Sequence, residues 1–302
     1  MLKKFIAITC ASLLLFTISC ETRAPIKEPQ TGNTLNIVAS NKMIEHMIRL
    51  ISGDLHNITT IVEEKSLIES YRAEDIIIED ENVNLFFHFG AGYEPFSEKL
   101  SESFNKNRVS VINISRGVGM LEYRDRETNR SVVNPYYLSS PRNYLTAISN
   151  VANGLIEKDP FRSYEYNANL MEVKRKIESF VRAIEESNIN NNDIVYIAAT
   201  NELRYLLNSF DVKYITAEDH FKDFMNNNGE HIYNDYIFIY ADDEDYEANR
   251  NIMDFIRAVP LKVTLMDYEN TQDVVYFSNL IKFKGAVNEI FLRNQDKMNE
   301  LY

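Results

Sequence analysis

The chain has 302 residues, 45% of them apolar and 25% charged, a balance that supports a folded core and excludes a disordered or fibrous protein. Its formal net charge is −13, and an acidic surface repels phosphate backbones, which excludes nucleic acid as a partner. Cysteine occurs only at Cys10 and Cys20, which excludes a disulfide framework and a thiolate metal site.

The chain opens with Met1-Leu2-Lys3-Lys4, a short basic stretch. Phe5 to Ile18 then carries no charge, but it is shorter than the ~20 residues a membrane span requires. It ends at Thr17-Ile18-Ser19-Cys20, followed by the polar Glu21-Thr22-Arg23. This junction resembles a bacterial lipobox, departing from it at Thr17, where a larger aliphatic residue is usual. The resemblance implies that residues 1–19 are a cleaved signal peptide and that Cys20 carries the lipid. Residues 20–33 hold Pro25, Pro29 and Gly32 and read as a tether.

The fold is expected to begin at Leu35–Ala39, a strand, followed by a helix with Ile44, Met47, Ile48 and Ile51 on one face and Gly53 at its end. Ile58–Val62 is a second β-rich run, Ala73–Asp80 reads as helical, and Val83–Phe89 is a buried strand closed by Gly90. Met120–Arg130 reads as a plain charged loop after a further strand, Val109–Ile114. Ser140-Pro141 and Asp159-Pro160 are two helix-start signals, a cap residue before proline. The second opens a helix carrying Leu170, Val173, Ile177, Phe180 and Ile184, running to about Ser187 and broken by Asn188–Asn192. A second series then follows: strands at Asp193–Ala199, Val212–Thr216, Tyr236–Tyr240 and Lys262–Met266, with helices at Glu202–Ser209, Tyr246–Ala258 and Thr271–Asn294.

This alternation predicts an α/β protein of two Rossmann-like lobes joined by a single long helix, with a ligand cleft between them. The expected division is residues 34–158 for the first lobe, 159–190 for the linking helix and 191–302 for the second lobe.

Four stretches then resemble one family. They are Ile37-Val38-Ala39-Ser40 through Ile51-Ser52-Gly53-Asp54, Val83-Asn84-Leu85-Phe86 through Gly90-Ala91-Gly92-Tyr93-Glu94, Asn134-Pro135-Tyr136-Tyr137-Leu138 through Asn169, and Thr200–Phe210. In order and spacing they resemble the zinc- and manganese-binding solute-binding lipoproteins of bacterial ABC importers. The resemblance implies a rigid linking helix and small lobe movements. It also implies permease and ATPase partners, a monomer lipid-anchored at the cell envelope with its domain outside the cytoplasm, and no enzymatic activity. The family holds its metal with three His and one carboxylate. Those positions fall on Glu69, Tyr136 and Thr200, all replaced, and on Asp267, where the acid is kept; the His-rich loop is absent.

An all-oxygen set favours harder ions over tight zinc binding, because zinc prefers imidazole and thiolate. No cofactor is assigned. A divalent metal, manganese or zinc, is one candidate cargo in an oxygen-rich cleft. The alternative is a degenerate member that binds a non-metal solute or an envelope or host protein.

The five histidines, His46, His56, His88, His220 and His231, show no metal-ligand spacing, and only His88 stands near the expected cleft edge. Gly90-Ala91-Gly92 lacks the third glycine of a dinucleotide turn and reads as a tight turn. Asp242-Asp243-Glu244-Asp245 reads as a solvated helix start, since carboxylates favour helix N-termini. No Gly-x-Ser-x-Gly elbow, phosphate loop or His-Glu-x-x-His is present.

Overall fold

In a computed structural model, residues 32–300 are described, except 79, 126–127, 188, 191–192 and 218–234. The signal peptide, Cys20, nearly all of the tether, His220 and His231 lie outside the described residues.

Strand β1 (Asn36–Asn41) runs into helix α1 (Lys42–Ser52). Asn41 caps the helix, its Oδ1 accepting from the Ile44 N–H at 3.1 Å, and Gly53 ends it at φ 59°. The inner face is Ile44, Met47, Ile48 and Ile51, all buried, as the spacing predicts. The chain returns as β2 (Asn57–Val62), parallel to β1, and later as β3 (Leu85–His88) and β4 (Ser110–Asn113). This sheet has the order β2-β1-β3-β4, and every pairing is parallel. All four residues of β3 are buried, as expected for a strand covered on both faces.

Two expectations in this half are corrected, and one element was not expected. Ala73–Asp80 is not a helix; it holds short 3-10 turns at Ala73–Asp75 and Asp80–Asn82. Ile76-Ile77-Ile78 lies between them, and Ile76 takes extended backbone, because consecutive β-branched residues disfavour helix. Met120–Arg130 is not a plain loop. It contains β5 (Glu122–Arg124), paired antiparallel with β6 (Ser131–Val133). A short helix, α2 (Ser97–Ser103), follows the glycine turn without a sequence signal strong enough to predict it.

Pro141 opens α3 (Pro141–Lys158), although the Ser140 hydroxyl makes no capping bond. Asp159-Pro160 opens a 3-10 turn that leads into α4 (Ser163–Glu185). That turn is held by a buried relay: Leu35 N–H donates to His56 Nδ1, His56 Nε2 meets the Tyr166 hydroxyl at 2.8 Å, and Tyr166 donates to Asp159 at 2.9 Å. His56 is therefore a satisfied core residue.

The second sheet contains β7 (Ile194–Ala198), β8 (Tyr214–Thr216), β9 (Asp235–Tyr240) and β10 (Val259–Lys262). Helices α5 (Arg204–Ser209), α6 (Asp243–Ile256) and α7 (Gln272–Glu300) accompany it. Its order is β10-β9-β7-β8, again with all pairings parallel. Numbered within each half, both sheets have the order 2-1-3-4. Strand β10 lies earlier than the expected Lys262–Met266. Proline can occupy an edge strand, and Pro260 pairs opposite Phe238 there. Helix α6 likewise starts earlier, with Asp243, Glu244 and Asp245 in its first turn.

Residues from Asn33 onward form one compact unit that includes both sheets. Helix α4 packs on α1 and α3 on one side and on α7 on the other. Asn169 donates to the Ile51 carbonyl at 2.8 Å, and Phe180 stacks on Tyr276 at 5.1 Å. The Tyr276 hydroxyl in turn donates to the Leu138 carbonyl, binding the last helix to the first lobe.

Candidate functional site

In open parallel sheets a ligand crevice forms outside the carboxyl ends of the strands, where the strand order reverses. In the first sheet that point lies between β1 and β3. The chain leaving β3 turns through Gly90, Ala91 and Gly92, all at positive φ. Gly90 is required there, because a Cβ would stand 2.3 Å from Asn113 Oδ1. The turn swings Tyr93 into the cleft and carries Glu94 back beneath the strands.

Glu94 is buried, and three donors surround its carboxylate: Ser40 Oγ, Asn41 Nδ2 at 2.6 Å and the Phe89 N–H at 2.9 Å. Burial pushes its carboxyl up to about 7, against the downward pull of those hydrogen bonds. The residue thus fills the switch-point crevice of the first lobe and joins the ends of β1 and β3. Sequence reasoning quoted Glu94 within a family-like stretch but assigned it no role.

Above this plug lies an aromatic wall. Tyr93 packs on Phe89 at 4.4 Å and meets the Tyr136 ring edge-on at 6.1 Å. Its hydroxyl stands 3.4 Å from that of Tyr268, which follows β10. Burial raises the hydroxyls of Tyr93, Tyr136 and Tyr268 above the usual tyrosine range, so they remain protonated near neutral pH. Other ties cross the same boundary. Asn134 Nδ2 donates to the carbonyls of Asn201 and Glu202 at 3.1 Å, and Ser139 Oγ donates to the Leu265 carbonyl. The hairpin is strapped to α5 by Leu121 N–H to the Tyr205 hydroxyl at 2.6 Å and by Arg204 to the Glu122 carbonyl.

Between the lobes is a cavity of about 690 Å³. Glu69 and Tyr136 line it, so two of the four positions expected at the site meet there. Thr200 and Asp267 are not part of the lining. Thr200 heads the 3-10 turn before α5. Asp267 accepts from the Glu269 N–H and from Asn270 Nδ2, both at 2.8 Å, so both of its oxygens hold its own turn. Lys65, Glu98, Tyr123 and Glu202 also line the cavity, and sequence reasoning had singled out none of them. Among the described residues, no group of three or more His, Cys, Asp or Glu stands where it could hold a metal.

The remaining candidates are structural. His88 is buried within the first lobe and stacked on Phe86 at 5.6 Å; burial lowers its imidazole to about 4. His46 is half-buried on α1, and burial lowers its imidazole as well. Asp243 pairs with Lys262 at 2.7 Å, as suits a helix start.

Comparison with known proteins follows the same outline. The family model described as zinc-uptake complex component A, periplasmic, matches residues 37–225. The metal ABC transporter substrate-binding lipoprotein ScbA of Streptococcus cristatus is 23% identical over 193 residues, 61% of this chain and 62% of that protein. The manganese ABC transporter substrate-binding lipoprotein PsaA of Streptococcus anginosus is 25% identical over 170 residues, 53% of each. These matches span less than two thirds of the relatives' length. The solute-binding protein FpvC from Pseudomonas aeruginosa, solved in complex with Mn²⁺, superimposes with a TM-score of 0.63 at 14% identity, covering 84% of this chain and 97% of that one. The periplasmic zinc-binding protein TroA from Treponema pallidum does so with a TM-score of 0.63 at 12% identity, covering 84% and 99%.

Proposed function

Because the chain belongs to the family of the periplasmic zinc-uptake complex component A, we propose that it is the solute-binding subunit of an ABC importer. In this reading a lipid on Cys20 holds it to the envelope, a tether over residues 20–33 carries the fold, and the cargo passes to a membrane permease driven by an ATPase. The folded part would comprise a first lobe (34–158), a linking helix (159–190) and a second lobe (191–302). It is a binding protein rather than an enzyme, as its family is. Among the described residues no helix is long and apolar enough to cross a membrane, and a lipid would supply attachment without one.

The observation that carries the reading is the placement of the cavity. It opens where the carboxyl ends of the first sheet face the second lobe, and Glu202 contributes to its lining from the second lobe. A ligand there touches both lobes, so a permease can read the relation between them. The family's cargo is a cation, and Glu69, Glu98 and Glu202 give the cavity negative charge. In this reading Glu69, Tyr136, Thr200 and Asp267 are the positions that the family resemblance matches to the ligands, and the first two line the cavity.

The test is reconstitution. In proteoliposomes holding a metal-type ABC permease and its ATPase from the same organism, adding the protein should raise ATP hydrolysis severalfold. An unchanged rate would remove the importer reading. Cys20→Ser should move the protein from the membrane fraction to the soluble fraction, and its retention there would remove the lipid anchor.

A further inference from the structure

We propose that the inter-lobe cavity takes an organic cation, an amine or guanidinium compound with two or more positive charges, rather than a bare divalent metal ion. This deepens the importer reading and rests on it.

Size is the first argument. A volume of about 690 Å³ is that of a small organic ligand rather than of a single ion. Charge is the second. Three acidic residues, Glu69, Glu98 and Glu202, and one basic residue, Lys65, line this space. They come from three separate segments: the stretch after the Lys65–Leu67 turn, helix α2, and the turn before α5. Carboxylates spread around a wide wall suit several well-separated positive centres. A divalent ion instead needs its oxygens converging at about 2.0–2.6 Å.

The third argument is aromatic. Tyr93, Tyr123 and Tyr136 line the same cavity, and ring faces attract ammonium and guanidinium groups. Lys65 Nζ already stands 5.8 Å from the centre of the Tyr136 ring. The ring thus already has an ammonium of the protein's own within cation-π range, and a ligand amine would compete for the same face. The donor chemistry agrees. The lining offers no imidazole or thiolate, and a protonated tyrosine hydroxyl is a weak metal ligand. Asp267, which the family resemblance matches to the ligand carboxylate, does not line the cavity, and each of its oxygens accepts a bond within the Glu269–Asn270 turn.

The experiment is calorimetric titration of the full chain, purified in detergent and stripped with chelator, using spermidine, agmatine, Mn²⁺ and Zn²⁺ as separate probes. Spermidine or agmatine should bind at one equivalent and weaken as salt is raised. Glu202→Gln and Tyr136→Ala should each weaken that binding about tenfold. Tyr136→Phe should retain it, since the ring face is kept, and Lys65→Met should strengthen it by removing the competing ammonium. Saturable Mn²⁺ or Zn²⁺ binding without heat from either amine would overturn the inference and leave the importer reading standing. Loss of amine binding in Tyr136→Phe would also overturn it, since it would show that the hydroxyl, not the ring, makes the contact. No binding by any probe would remove both the inference and the cleft-binding reading.

Discussion

The two lobes share one topology and differ at the place where topology alone would put a ligand. Each has four parallel strands in the order 2-1-3-4. In the first lobe the crevice between the central strands is filled by Glu94, which holds Ser40, Asn41 and the Phe89 N–H. In the second lobe the chain leaves β7 at Ala199 and Thr200, and no comparable buried carboxylate stands there among the described residues. A switch point can therefore be used for structure as well as for binding. Once it is filled, the open space lies further out, along the wall formed by Glu69, Tyr93, Tyr136 and Glu202.

This contrast can be broken by mutation. The largest effect is expected from Glu94→Ala, which leaves three buried donors without their acceptor and opens a space beneath Tyr93. It should cost about 3–5 kcal/mol by urea unfolding, whereas Thr200→Ala at the corresponding point of the second lobe should cost less than about 1 kcal/mol. Equal losses would erase the distinction between the two crevices.

The next test uses pH. The Glu94 carboxyl rises from 4.5 to about 7 on folding, so the native state holds a proton that the unfolded state releases. Its contribution is fully present below about pH 4.5 and is lost as pH rises through 7, worth about 3 kcal/mol. His88 works in the opposite sense. Burial lowers it from 6.5 to about 4, so its contribution is present above pH 6.5 and is lost as pH falls toward 4. The two should partly cancel in the native chain. In His88→Phe, stability should fall as pH rises from 4.5 to 7; in Glu94→Gln, it should fall as pH drops from 6.5 to 4. Unfolding curves at four or five pH values check both slopes, and parallel profiles in the two variants would contradict this assignment.

Smaller effects sharpen the picture of the turn that delivers Glu94. Gly90→Ala should cost about 2–3 kcal/mol, because left-handed backbone and a 2.3 Å approach to Asn113 act together. Gly92→Ala, at φ 73° with open space around it, should cost only about 1 kcal/mol in a thermal melt. Smallest of all, Tyr93→Phe removes one long contact to Tyr268 and should shift stability by less than about 1 kcal/mol.

Much of the fold was legible because burial repeats at fixed spacing. Ile44, Met47, Ile48 and Ile51 mark α1, and the unbroken apolar run at Val83–Phe89 marks β3. Elements defined by tertiary pairing were not legible. Glu122-Tyr123-Arg124 becomes a strand only because Ser131-Val132-Val133 lies beside it. Pro260 within β10 reads as a breaker unless the strand is known to be at an edge. Of the cavity lining, Glu69 and Tyr136 were named through family resemblance, since neither carries a local signal. Glu94 was missed as an actor because an acid after glycines looks solvated until its donors are placed. Lys65, Glu98 and Glu202 were missed for a related reason: charged residues on separate surface turns converge only in three dimensions.

The most direct measurement is native mass spectrometry of the protein purified from cells without chelator, beside the double variant Glu69→Gln, Glu202→Gln. One cationic adduct per chain, lost in the double variant, is expected of a binding protein loaded in this cleft. The bare polypeptide mass in both samples, unchanged when amines or divalent metals are added, would contradict it.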